Sequence, residues 1–147
     1  MNKGHTQLKF IKFHNPEELH QDTLTSISHL LFKRDELDFL NELIKEYTID
    51  LISEKTFEES KAIATALVEL QKELKVLLFK VEEHKNNLQT LLDNVIVPNE
   101  LEDYKDGHYK VMFETIAFNA KFKTLKKQIY GLIKEIMKMN KSKRLLN

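Results

Sequence analysis

The 147-residue chain has no cysteine and no tryptophan, and it contains only three glycines and two prolines. Without cysteine it can form no disulfide, no thiolate metal site and no cysteine nucleophile. The scarcity of glycine and proline leaves few places for sharp turns, so we expect a few long elements. No apolar run approaches the roughly 18 residues that a membrane-crossing helix needs, and we expect no membrane-spanning segment.

The N-terminal residues 1–14 alternate lysines with apolar residues and lack the continuous apolar region of a signal peptide. We therefore expect a cytoplasmic protein in which these residues form a tail or a short extended arm. Apolar residues make up 41% of the chain and charged residues 31%, which is typical of a single helical domain of this length.

The stretch from Thr56 to Leu92 carries the strongest pattern in the sequence. Its apolar positions alternate spacings of four and three residues, as in the seam of a coiled coil or a helical bundle. The nine seam positions are Ile63, Leu67, Leu70, Leu74, Leu77, Val81, His84, Leu88 and Leu91. Only His84 is not apolar.

Similar spacing before and after this stretch predicts an all-α fold, an up-down-up bundle of three long antiparallel helices. Asn15 and Pro16 fit the cap and first position of a helix, and Thr56 with Glu59 fits a capping box. Weak helix formers near Ser26 leave an alternative open, a four-helix bundle in which the first helix breaks there. The predicted helices are about 16–52, 57–92 and 108–140, in one domain spanning 15–140, with a loop at 93–106 and a tail at 141–147.

Charge is unevenly distributed although the net charge is zero. Residues 1–117 carry 14 basic and 22 acidic side chains, whereas residues 118–147 carry 9 basic and 1 acidic. In an up-down-up bundle the first and third helices run parallel, so the acidic part of one would lie beside the basic part of the other. We expect this internal pairing to account for the asymmetry. We do not expect a nucleic acid partner, since no interleaved exposed aromatic residues accompany the lysines.

Four histidines fall in one half of the predicted bundle and form the candidate metal site: His84, His29, His108 and His20. Carboxylates lie near them in sequence, and imidazole with carboxylate suits zinc or iron. At about 1.5 Å of rise per residue, only His29 with His84, or His20 with His108, would be near enough to share an ion. The alternative is a buried histidine that is hydrogen-bonded to a neighbouring Ser, Thr or Glu.

No catalytic motif accompanies these residues, because the chain has no glycine-rich phosphate loop, Gly-x-Ser-x-Gly or His-Glu-x-x-His. The first hypothesis is therefore a non-enzymatic bundle that acts through protein–protein contact, as a homodimer or with another protein. Apolar residues outside the seams, such as Phe39, Phe79 and Phe113, favour this hypothesis. The second hypothesis is a bundle that binds a transition metal, Zn or Fe, through the four histidines and nearby carboxylates.

Three short segments also share a pattern with other proteins: His29–Leu40, Val81–His84 and Gly107-His108. They resemble a group of small helical-bundle proteins of Bacteroidota-type bacteria. The resemblance implies a helical bundle with a histidine near the middle of the first helix, late in the second and early in the third. In this chain those positions are His29, His84 and His108. The resemblance implies no activity.

Overall fold

A computed structural model of the chain describes residues 11–51, 56–94 and 98–146. These ranges contain no strand, which confirms the predicted all-α fold. None of their helices has the length and apolar character that crossing a membrane requires. The elements are a 3₁₀ turn (Ile11–Phe13), α1 (Pro16–Glu46), the single-turn α2 (Thr48–Leu51), α3 (Phe57–Asp93) and α4 (Pro98–Leu146).

The three long helices each contribute one segment to each of two compact units. Unit 1 is Met1–Lys33 with Glu73–Asn119, and unit 2 is Arg34–Lys72 with Ala120–Asn147. Each unit is described by itself below. The single domain over 15–140 stays a prediction.

In unit 1 the side-chain contacts fix the directions of the three segments. Asp22 and Ser26 of α1 contact His108 and Met112 of α4, respectively, and the residue numbers rise together, so these segments run parallel. Contacts between α3 and α4 pair rising with falling residue numbers, so these segments run antiparallel. This is the up-down-up arrangement that the sequence predicts.

The predicted seam of α3 is buried nearly throughout. Eight of its nine residues are buried, and Leu91 is partly buried. The matching seam of α4 also lies inside, with Phe118 and Phe122 as its largest residues. Unit 2 closes around Leu37 and Leu40 of α1. The other described apolar residues that are buried in unit 2 are Ile63, Leu67, Leu70, Phe122, Leu125, Ile129, Leu132, Ile133 and Ile136.

Helix α1 begins as predicted but ends earlier. The Asn15 side-chain oxygen accepts the backbone N–H of Glu18 at 2.8 Å, and the Glu18 carboxylate accepts the N–H of Asn15 at 3.3 Å. The helix runs unbroken through Ser26, so the four-helix alternative is not what forms. It ends at Glu46, short of the predicted residue 52, where the Tyr47 N–H bonds only three residues back.

The predicted loop over 93–106 is wrong for most of its length, because α4 begins at Pro98. Proline suits the first helical position, since its missing N–H would have no partner there anyway. Leu101 and Tyr104 then continue the 3/4 spacing that leads to His108. The predicted tail at 141–147 is also wrong, because α4 continues to Leu146.

The N-terminal arm is ordered where the structure describes it. Ile11 is buried against Leu19 and Leu88, so the 3₁₀ turn covers one part of the unit 1 core. The Lys105 ammonium donates to the Lys12 carbonyl oxygen at 3.0 Å and ties this turn to α4. Residues 1–10 of the predicted tail or arm lie outside the described residues.

Gly131 lies inside α4, and a Cβ atom added there would meet no atom within 4 Å. We expect Gly131→Ala to raise the free energy of unfolding by up to about 1 kcal/mol, since alanine removes the entropic cost of a helical glycine. Urea denaturation measures the change. Gly107→Ala, which also meets open space, is the matched variant and should show a similar gain. A loss of stability at Gly131 would contradict the open environment.

Candidate functional site

Unit 1 encloses a pair of histidines that belong to different helices. The side chains of His84 on α3 and His108 on α4 meet with 2.8 Å between Nε2 of the first and Nδ1 of the second. Their exposed fractions are 7% and 0%, respectively. Both residues occupy positions where the helix spacing calls for an apolar side chain. Burial there requires each polar nitrogen to find a hydrogen-bond partner.

Asp22 of α1 extends the pair toward the surface. Its Oδ2 atom lies 3.1 Å from Nε2 of His108 and 3.0 Å from Nδ1 of His14. The side chains of Asp22 and His14 are 35% and 21% exposed, so the contact joins the buried pair to partly hydrated groups. Glu18 lies further out, 4.0 Å from Nε2 of His14.

The hydrogen bonds that join His84, His108 and Asp22 have a definite direction. A carboxylate has no proton to donate, so Nε2 of His108 donates to Asp22. Neutral His108 then has an acceptor at Nδ1, and Nε2 of His84 donates to it. Protons are therefore donated from His84 to His108 and from His108 to Asp22.

Tyr104 packs over the histidine pair. Its ring stacks on that of His84 with 4.3 Å between centroids and 8° between planes. Its hydroxyl donates to the backbone carbonyl oxygen of His84 at 2.9 Å. Burial raises the pKa of Tyr104, and a hydrogen bond with Thr23 acts in the opposite direction. The tyrosine thus fixes the position of His84 and remains protonated.

The protein environment keeps both imidazoles neutral near pH 7. Burial, and to a lesser extent the neighbouring His108, lowers the pKa of His84 from 6.5 to about 4. Burial also lowers the pKa of His108, although its hydrogen bond to Asp22 acts in the opposite direction. The proximity of the two imidazoles also opposes the protonation of both at once, since like charges repel at this separation.

The structure pairs the candidate metal ligands differently from the sequence hypothesis. His84 contacts His108, whereas the helix heights had suggested His84 with His29 and His108 with His20. His29 is exposed and His20 is partly buried, and no described hydrogen bond joins either to the pair. The height estimated for His108 along the bundle was wrong, because α4 begins at Pro98, ten residues before this histidine.

Two residues of the site were not candidates in the sequence. His14 was assigned to the tail, and Tyr104 was assigned to the predicted loop. The signal for Tyr104 was its position four residues before His108, which places both side chains on one face once a helix is assumed.

Metal binding by His84, His29, His108 and His20 stays a prediction. The described residues contain no group of three or more His, Asp or Glu side chains placed to hold a metal ion. Nε2 of His84 and both ring nitrogens of His108 are already used in hydrogen bonds. The geometry therefore favours the hydrogen-bonded role.

Elemental analysis of untagged protein, purified without nickel resin or chelator, tests whether the histidines bind a metal ion or serve only as hydrogen-bonded structural residues. We expect no stoichiometric zinc or iron, and no change in melting temperature when either ion is added. His29→Leu serves as the matched control for His84→Leu. A near-stoichiometric metal that is lost in His84→Leu and retained in His29→Leu would restore the metal hypothesis.

Comparison of the chain with protein-family models, with curated proteins and with solved structures finds no match. The resemblance to helical-bundle proteins of Bacteroidota-type bacteria stays a prediction.

The buried pair predicts a stability that falls as the solution is acidified. A histidine with a lowered pKa in the folded state takes up its proton first in the unfolded state, which is thereby favoured. For His84 this loss begins as the pH falls through about 6.5 and continues to about 4. It amounts to about 2–3 kcal/mol between pH 7 and pH 4.5, at 1.36 kcal/mol per pKa unit.

Urea denaturation at a series of pH values measures this loss. His84→Gln retains an N–H donor for His108 but does not titrate, so we expect its stability to fall by about 2 kcal/mol less than that of the wild type over the same range. His29→Gln makes the same chemical change at an exposed position and should follow the wild type. Equal losses in wild type and His84→Gln would refute the effect.

Proposed function

We propose that this chain is a non-enzymatic helical-bundle protein that acts through protein–protein contact, with a second copy of itself as the partner. The observation that carries the proposal is a group of bulky apolar side chains on the surface of unit 1. Val76, Phe79 and Phe113 are 56%, 69% and 47% exposed. Large apolar side chains grouped on a surface are typical of interaction sites.

These three residues, the unit 1 patch, lie close in sequence to an ion pair between α3 and α4. Lys80 and Glu114 lie 3.3 Å apart and fix the register of the two antiparallel segments. Phe79 and Phe113 each precede one member of this pair. A step of one residue turns about 100° around a helix, which places both rings further toward the outside. Val76 lies one helical turn before Lys80.

The charges of the patch support a second copy as the partner. A two-fold symmetric contact brings the same surface together twice, so it must be complementary to itself. With one cation and one anion beside its apolar residues, the patch allows Lys80 of each copy to approach Glu114 of the other. Apolar rings around such a pair would be removed from water on association, which stabilises the contact.

The histidine pair supports a binding role over a catalytic one. His108 is fully buried, and both of its nitrogens are used in hydrogen bonds to His84 and Asp22. A general acid or base must lie within hydrogen-bond reach of a substrate proton. The pair is better suited to holding α1, α3 and α4 in register within unit 1.

Multi-angle light scattering tests the proposal directly. We expect the wild type to have twice the 17.4 kDa chain mass and Phe79→Asp with Phe113→Asp to have the single-chain mass, since charge at the patch prevents its burial. Circular dichroism should show unchanged helix content in the double variant. Ile49→Asp places one negative charge at an 84% exposed apolar residue of unit 2 and should leave the dimer intact.

A wild type that is monomeric up to its solubility limit would contradict self-association. A dimer that persists in the double variant would show that the contact lies elsewhere and would reject the unit 1 patch.

A further inference from the structure

Among the residues that the structure describes, five cationic side chains and no acidic one line a groove at the C-terminal part of α4. It belongs to unit 2 and has a volume of about 790 Å³, within the range of ligand-binding sites. Tyr47, at the break between α1 and α2, also lines it. The five cations are Lys134, Lys138, Lys141, Lys143 and Arg144.

The expected internal pairing of charges does not extend to these five residues. Glu36 and Lys126 form such a pair, with 2.7 Å between the carboxylate oxygen and Nζ. By contrast, none of the five groove cations lies within ion-pair distance of a carboxylate in the described part of the chain. All five are exposed. The groove therefore has a concentrated positive charge that the described residues leave available to a ligand.

The dipole of α4 explains only part of this accumulation. Cations near a helix C-terminus are favourable, but the effect falls off within the last turn. Lys143 and Arg144 lie there, whereas Lys134 and Lys138 are 12 and 8 residues before the end of the helix at Leu146. Folding gains little from these lysines, so their position in a shared groove points to an anionic ligand.

We propose that this groove binds a single-stranded nucleic acid, with the lysines and the arginine on its phosphates and the Tyr47 ring against a base. Grooves that bind single strands combine cations along the backbone with an aromatic side chain on which a base stacks. Met137, which is 55% exposed, adds apolar surface to the same groove. This reverses the expectation from sequence, in which acidic residues of the first helix neutralise these cations.

The concave shape of the site favours a single strand over two other polyanions. An unpaired strand exposes its bases, so it can enter a groove and reach an aromatic ring within it. A DNA duplex keeps its bases stacked inside, and an anionic membrane is flat on the scale of one groove. Either could contact the lysines at the rim, but neither would use Tyr47.

Fluorescence anisotropy with a labelled 20-nucleotide oligothymidylate and the full-length chain tests the proposal. Because five phosphate contacts on a single strand give a salt slope of about −3.5, the affinity should fall about 100-fold between 50 and 200 mM salt. Lys138→Glu with Lys141→Glu should weaken binding at least tenfold. Lys61→Glu with Lys75→Glu makes the same change in net charge at exposed positions outside the groove and should bind as the wild type does.

Tyr47→Leu separates a nucleic acid from a general preference for anions. It removes the stacking surface and leaves the charge unchanged, so we expect weaker binding of the oligonucleotide by about fivefold or more with an unchanged salt slope. Binding of a labelled duplex should be weaker than that of the single strand and insensitive to this change. Circular dichroism confirms that each variant is folded.

Three results would overturn the proposal. One is the absence of oligonucleotide binding at 50 mM salt. Another is equal weakening by the groove variant and by its charge-matched control, which would indicate diffuse attraction. The third is tight binding to vesicles that contain phosphatidylserine together with no binding to the oligonucleotide, which would assign the groove to a lipid surface. The proposed dimer contact lies on unit 1, and the groove lies on unit 2. A negative result in the light-scattering test would therefore not change the interpretation of the oligonucleotide binding measurements.

Discussion

Burial of an almost unbroken row of apolar side chains along α3 is the interaction on which both compact units depend. Each fully buried leucine or valine contributes about 1.5–3 kcal/mol relative to an exposed one. Leu67 and Val81 are at most 2% exposed and represent the row in units 2 and 1. An exposed ion pair such as Lys80–Glu114 contributes about 0–1 kcal/mol. Apolar burial therefore determines whether the helices associate, and charge can only adjust how they do so.

The histidine pair supplies what apolar packing alone does not, a single register for the three segments of unit 1. Leucines at 3/4 spacing could still pack if one helix slid by a turn, because one apolar surface replaces another. His108 could not, since such a slip would separate it from both His84 and Asp22 and leave polar atoms buried without partners. An unsatisfied buried group costs about 1–3 kcal/mol, which penalises every shifted arrangement. Neutral imidazoles allow this arrangement, because a charge on either would add a desolvation cost.

Periodicity was sufficient to predict the fold from the sequence but insufficient to predict the site. The 3/4 spacing together with the Thr56 capping box predicted α3 to within a residue, and Asn15 with Pro16 predicted the start of α1. Both signals are local, because helix caps and the burial of one helix face are visible within a single stretch of sequence. Pro98 and the charged residues after it concealed the beginning of α4. That error changed the estimated distance of His108 from the start of its helix by about 15 Å, at 1.5 Å per residue. Which histidines meet depends on helix register, and register depends on three-dimensional contacts that no single stretch of sequence contains.

The same three helices form two units that differ in the residues they bury and in the residues they expose. In unit 1 the buried histidines hydrogen-bond to each other and to Asp22, and the exposed apolar patch lies beside a neutral ion pair, Lys80 with Glu114. In unit 2 the buried residues that the structure describes are apolar except for Thr56, and five cations of α4 line one exposed groove beside Tyr47. Repulsion among five cations opposes their assembly, and no described carboxylate lies within ion-pair distance of them. The fold itself accounts for the histidine pair, whereas the clustered cations of the groove are what the proposed nucleic-acid site would account for.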